Sequence, residues 1–122
     1  MVRFTTSLCI FVFCLLFMAV ANAKNIDLVH EICGDPMTRH AAGSVTQLTR
    51  DDQVARITKD LAQNDPFFTV VTLVGDDTFA SLTWNAERRS TGEKLCGIEI
   101  FKSVDGVITD VWNSNYFEGS WS

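Results

Sequence analysis

Two apolar runs, Leu95-Cys96-Gly97-Ile98-Glu99-Ile100-Phe101 and Val107-Ile108-Thr109-Asp110-Val111-Trp112-Asn113, flank the dipeptide Asp105-Gly106. Both turn positions tolerate positive φ, so the stretch predicts a tight β-hairpin with a two-residue turn. That turn sets Val104 opposite Val107, Ile100 opposite Val111, Ile98 opposite Asn113 and Cys96 opposite Asn115. Side chains alternate between the faces of a strand. One face is therefore expected to carry Cys96, Ile98, Ile100, Thr109, Val111 and Asn113. The other carries Leu95, Glu99, Phe101, Asp110, Trp112 and Tyr116. The first is the more aliphatic and is expected to face helices, with Asn113 as its polar member and Glu99 and Asp110 on the outside.

Upstream, Ile26 to Cys33 has apolar residues at helical spacing and Gly34 as a stop. Asp35-Pro36 imposes an extended or turning path, and Ala41 to Leu48 reads as a short strand or irregular hairpin. Thr49 is an N-cap, with Asp51 and Asp52 suited to the positive end of a helix from Arg50 to about Gln63. That helix aligns Val54, Ile57 and Leu61 on one stripe, and Asn64-Asp65-Pro66 ends it. Four strands follow, at Phe67–Val74, Thr78–Ala86, Lys94–Val104 and Val107–Phe117. Helical segments followed by consecutive antiparallel strands predict an α+β domain with a curved, cone-shaped sheet wrapped around helices.

Residues 1–23 stand apart from that pattern. Arg3 precedes an almost unbroken apolar run from Leu8 to Val20, and Ala21-Asn22-Ala23 forms an A-x-A cleavage site. The run is short of the ~20 apolar residues of a membrane span and is expected to be a signal peptide cut between Ala23 and Lys24. The product would be secreted or periplasmic, with no membrane insertion after processing. A single domain, residues 24–122, remains. It keeps 9 of the 10 Lys+Arg and all 15 Asp+Glu, a net charge of −6. An acidic chain without a basic stripe is unsuited to nucleic acid, which needs Lys and Arg to displace counterions. Of the four cysteines, Cys33 and Cys96 survive processing. In an exported chain they suggest one disulfide, whose loop of about 62 residues corresponds to roughly 4 kcal/mol. The alternative is two buried thiols acting as small hydrophobes. No phosphate-binding glycine loop, nucleophile elbow or metal-ligand spacing occurs, so neither cofactor nor metal is implied.

The strand–Asp-Gly-x-Ile–strand phrase, with Ile108, Asp110, Trp112 and Asn113, resembles the closing hairpin of the SnoaL-like polyketide cyclases of the nuclear transport factor 2-like superfamily. Asp35 to Gly43 looks like the family's segment that places a His before a Gly at the pocket mouth. Arg50 to Ile57 looks like its following helix. The resemblance covers about Ile32 to Gly119 and implies a cone with a small-ligand pocket, His40 and Asn113 being pocket residues. Where the family often has an acid–base Asp after the Trp, this chain has Asn113. A carboxamide donates and accepts hydrogen bonds but takes no proton near neutral pH. The family's long opening helix is also shortened here, its place largely taken by the leader.

Three functional expectations follow. The first is an exported binder of a small apolar or carbonyl-bearing molecule, with His40 and Asn113 as polar contacts. Its walls would be Ile98, Ile100, Val111 and Val54, and Asn85 is a further candidate. The second is an isomerase, cyclase or hydratase with His40 as base. The third is an interaction module whose outer face, carrying Phe101, Trp112 and Tyr116, forms a homodimer; aromatics of this kind anchor interfaces.

Overall fold

Asp105 and Gly106 both adopt left-handed backbone, with φ of 51° and 81°, as a primed hairpin turn requires. Val104 pairs with Val107 across it. The computed structural model, which describes residues 18–114 and 116–122, builds seven strands. They are β1 (Cys33–Ala41), β2 (Ser44–Leu48), β3 (Pro66–Gly75), β4 (Phe79–Arg88), β5 (Glu93–Val104), β6 (Val107–Asn113) and β7 (Phe117–Glu118). They form one curved sheet in the order β2-β1-β6-β5-β4-β3, with β7 continuing alongside β5. All pairings are antiparallel except β1 with β6. The expected hairpin around residues 41–48 is the β1–β2 pair.

Two helices sit on the concave side. A 3-10 turn (Ile26–Leu28) leads into α1 (Val29–Ile32), and α2 spans Arg50–Asn64. Thr49 opens α2 with a full capping box: its hydroxyl accepts from the Asp52 N–H at 3.1 Å, and the Asp52 carboxylate accepts from the Thr49 N–H at 3.0 Å. Such a cap satisfies two donors that helix geometry leaves open. Val29, Ile32, Met37, Leu82, Phe101 and Ile108 are completely or almost completely buried between the helices and the sheet. Gly97 makes room for the neighbouring indole, since a Cβ there would lie 2.4 Å from Trp84.

The hairpin departs from the expected register two residues beyond the turn. Ser103 pairs with Ile108, but Lys102 pairs with Asp110, leaving Thr109 as an extra residue in β6. Such a bulge shifts all later pairing by one position. Phe101 now faces Val111, Ile100 faces Trp112, and Glu99 faces Asn113. Leu95, Glu99 and Phe101 therefore share the concave side with Val111 and Asn113, whereas Ile98 and Ile100 lie on the convex side, 38% and 40% exposed. Phe101, expected on the outer face, is 0% exposed. Cys96 pairs with Phe117 of β7; Asn115, its expected partner, lies outside the described residues.

Cys33 and Cys96 are both buried and free. The expected disulfide fails for a geometric reason. Cys33 belongs to the core, whereas Cys96 alternates with Leu95 and so sits on the opposite side of the sheet. Burial pushes the Cys33 thiol up to about 11, against the opposing charges of Arg50 and Arg56, which keeps it protonated at neutral pH.

Residues 18–22 are helical and fill the place left open by the short first helix. Met18 and Val20 join the core, 8% and 1% exposed. The Asn22 amide accepts from the Phe68 N–H and donates to the Phe68 C=O, both at 2.7 Å, on the edge strand β3. Residues 18–22 thus cover the mouth of the cone. Among the described residues no helix is long and apolar enough to cross a membrane.

The bulge makes the two neighbours Ile100 and Phe101 opposite in consequence. Phe101→Ala is expected to cost about 3–5 kcal/mol, the range for truncating a buried aromatic. Ile100→Ala should cost less than about 1 kcal/mol. Urea unfolding of the two variants reads the difference, and the unbulged register predicts the reverse order.

Candidate functional site

Under α2 the concave face encloses a hollow of about 70 Å³, bordered by the N-terminal residues Met18, Val20 and Ala21. Its apolar wall includes Ile57, Phe68, Trp84 and Val111, and its polar groups are Arg39, Arg56, Asp60, Glu99, Asn113 and Tyr116. Phe68 and Tyr116 both meet the Trp84 ring edge-on, at 5.1 and 5.4 Å. Polar groups converging on an apolar wall are what fixes a ligand's orientation in small-molecule sites.

The polar groups form a chain across three strands. Arg39 Nε on β1 donates to Asn113 Oδ1 on β6 at 2.9 Å, and Asn113 Nδ2 donates to Glu99 Oε1 on β5 at 2.5 Å. A guanidinium only donates and a carboxylate accepts, so the two partners dictate which way the amide points. From α2, the fully buried Gln53 accepts both Nε and one terminal amine of Arg56, at 3.1 and 3.0 Å, and thereby aims that guanidinium. Asp60 accepts from Asn64 Nδ2 at 2.7 Å.

Burial pushes the Glu99 carboxyl up to about 7, opposed by Arg56, by the hydrogen bond from Asn113 and by Arg39. Desolvation wins because the wall around the carboxylate is largely aliphatic and aromatic. Burial, then the charges of Glu99 and Asp60, raises the Tyr116 phenol above its ordinary value. Burial and the like charge of Arg39 lower the Arg56 guanidinium.

Of the residues expected at the pocket, Asn113 and Val111 border the hollow. Val54 packs against the core from α2. His40 does not enter the cone; its neighbour Arg39 does, because successive β1 side chains alternate. His40 pairs in register with Trp112 on the convex face, where their rings stack at 4.5 Å. Its Nε2–H donates to Asp110 Oδ2 at 2.9 Å, and Thr109 Oγ1 donates to Asp110 Oδ1 at 2.8 Å. Burial alone would raise the Asp110 carboxyl, but these bonds outweigh it and hold it below its ordinary value.

Ile98 and Ile100 are convex, as described above. Asn85 is convex too: it exchanges two hydrogen bonds with the Trp121 backbone, at 3.0 and 2.8 Å, and so pins the C-terminal segment. Glu99 was expected outside and is the central acid of the hollow. Its signal was present, since it is the one charged residue in Leu95–Phe101. Among the described residues no group of three or more His, Cys, Asp or Glu is arranged to hold a metal ion.

A carboxyl held above its unfolded value binds its proton more tightly in the folded chain, so its contribution to stability is full below 4.5 and is lost as pH rises through about 7. Glu99→Gln keeps the acceptor for Asn113 and removes the charge. The variant should match the parent near pH 4.5 and exceed its stability by roughly 1–3 kcal/mol at pH 8, read by urea unfolding across pH. Equal stabilities at both ends would place the Glu99 titration in water.

No protein-family model matches the sequence, and no curated protein matches it. Solved structures match the fold. A provisionally assigned ketosteroid isomerase from Kribbella flavida superposes with a TM-score of 0.74 at 16% identity, covering 91% of this chain and 79% of that one. A provisionally assigned isomerase of the SnoaL-like family from Agrobacterium tumefaciens gives 0.71 at 14% identity, covering 85% and 94%. A provisionally assigned polyketide cyclase from Acidithiobacillus ferrooxidans gives 0.71 at 19%, covering 83% of each. The chain has the curved-sheet α+β fold of the SnoaL-like and nuclear transport factor 2-like proteins.

Proposed function

We propose that the hollow binds a small carbonyl compound and that Glu99 moves a proton on it, an isomerase-type reaction. The observation that carries this reading is a single carboxyl with a value of about 7, set against the apolar wall of the hollow and held by Asn113. A general base works best when its pKa lies near the operating pH. Glu99 would take the proton from the carbon next to the carbonyl. The C–H electron pair would become the new C=C bond, and the charge would pass to the carbonyl oxygen. The Tyr116 hydroxyl and the guanidinium groups are the donors available to that oxygen. Return of the proton from Glu99 to a different carbon completes an isomerisation, and Asn113 acts as a positioning residue for the carboxylate. The names of the similar folds, isomerases and cyclases, agree with this chemistry.

The test is solvent-deuterium uptake next to the carbonyl in a panel of small cyclic ketones and enones, followed by NMR. Glu99→Gln is expected to slow uptake by about 10²–10⁴-fold. His40→Ala should leave it unchanged. Uptake that persists in Glu99→Gln and falls in His40→Ala would return the base to the convex face.

Export belongs to the same reading. Cleavage after Ala23 would remove Met18, Val20 and Asn22 together and widen the hollow to ligand size. The mass of the secreted protein should correspond to a chain beginning at Lys24.

A second reading concerns assembly, and a different observation favours it. The convex face exposes Val74, Phe79, Ile98 and Ile100 beside Trp112, around a cleft of about 610 Å³. We infer a homodimer through this face. Ile100→Glu should shift sedimentation toward the monomer without changing the circular dichroism spectrum.

A further inference from the structure

Arg39 and Arg56 reach the hollow from different elements, β1 and α2. Among the described residues neither forms an ion pair. The acceptors they use are neutral amides: Asn113 for Arg39, Gln53 for Arg56. Both terminal amines of Arg39 and one of Arg56 have no acceptor among the described residues. The two cations repel each other, and the charge of Arg39 lowers the Arg56 value. The acids bordering the same space are Asp60, engaged by Asn64, and Glu99, which keeps much of its proton at neutral pH. A chain with a net charge of −5 thus sets two guanidinium groups in this hollow, opposed there by Asp60 and by a partly protonated Glu99. Unpaired guanidinium groups with free forked donors are the geometry that recognises a planar carboxylate.

We propose that the ligand of the hollow is a carboxylate-bearing carbonyl compound, its carboxylate seated on Arg39 and Arg56 and its ketone turned toward Glu99. This rests on the hollow being the ligand site, and it does not require Glu99 to be a base.

The probes are 4-oxocyclohexanecarboxylate and its neutral carboxamide, which differ only in the charged group. They are titrated calorimetrically into the secreted protein. The carboxylate should bind at least about tenfold tighter, the factor a charge-assisted hydrogen bond supplies, with an affinity that falls as salt is raised. Arg39→Gln and Arg56→Gln should each weaken carboxylate binding far more than carboxamide binding and so erase most of that preference, whereas a merely structural loss would weaken both probes alike. Should Arg39→Gln fail to fold, Arg56→Gln on α2 carries the same comparison. Equal affinities for the two probes, a preference that survives both substitutions, or no carboxylate binding at millimolar concentration would overturn the proposal. Glu99→Gln separates it from the proton-transfer reading: carboxylate binding should persist there even though deuterium uptake is lost. Arginine-dependent binding combined with Glu99-independent uptake would sink the base and keep the anion site.

Discussion

One unpaired residue, Thr109, decides which side chains meet inside this protein. A strand's side chains have a period of two, so an inserted residue moves everything beyond it to the other side. Without the bulge, Ile98 and Ile100 would line the cone, and Glu99 would stand in water beside Trp112. With it, Phe101 enters the core opposite Val111, and Glu99 comes level with Asn113. Asp110 lies outside in either register, where His40 claims it. A hydrophobic interior and a polar constellation thus depend on the same local irregularity.

The hollow is an electrostatic compromise more than a hydrophobic one. Desolvation pushes Glu99 toward neutrality, and two arginines pull it toward charge. Asn113 mediates between them, since its amide can satisfy a cation on one side and an acid on the other. A carboxylate at position 113 would pair directly with Arg39 and lose its protonation near neutral pH. The amide keeps the cation one residue away, which lets burial dominate at Glu99.

Much of the fold was legible because it rests on short-range chemistry. The Asp-Gly turn, the Thr49 cap with Asp52, the extent of α2 and the four long strands each follow from a few adjacent residues. The site was legible only in part. Asn113 and Val111 were placed inside correctly, because the bulge flips β5 relative to them and not the pair itself. Glu99, Ile98 and Ile100 were misplaced because β5 is apolar on both faces, so alternation could not reveal the slip. His40 was placed at the pocket by resemblance, whereas the β1 register with β6 turns the imidazole outward and Arg39 inward. The expected disulfide failed for the same kind of reason, two cysteines on opposite sides of one sheet.

The grip of Asn22 on Phe68 has a further consequence for the life of the molecule. β3 ends the sheet, and at Phe68 its outward N–H and C=O are both occupied by the one side chain of Asn22. A chain trimmed at Lys24 hands those groups back to water and bares a rim next to the exposed Val70. Unprotected rims of this kind template strand addition between molecules. Loss of residues 18–22 would therefore trade a self-capped, non-sticky margin for an accessible interior, a matter of solubility as well as of access.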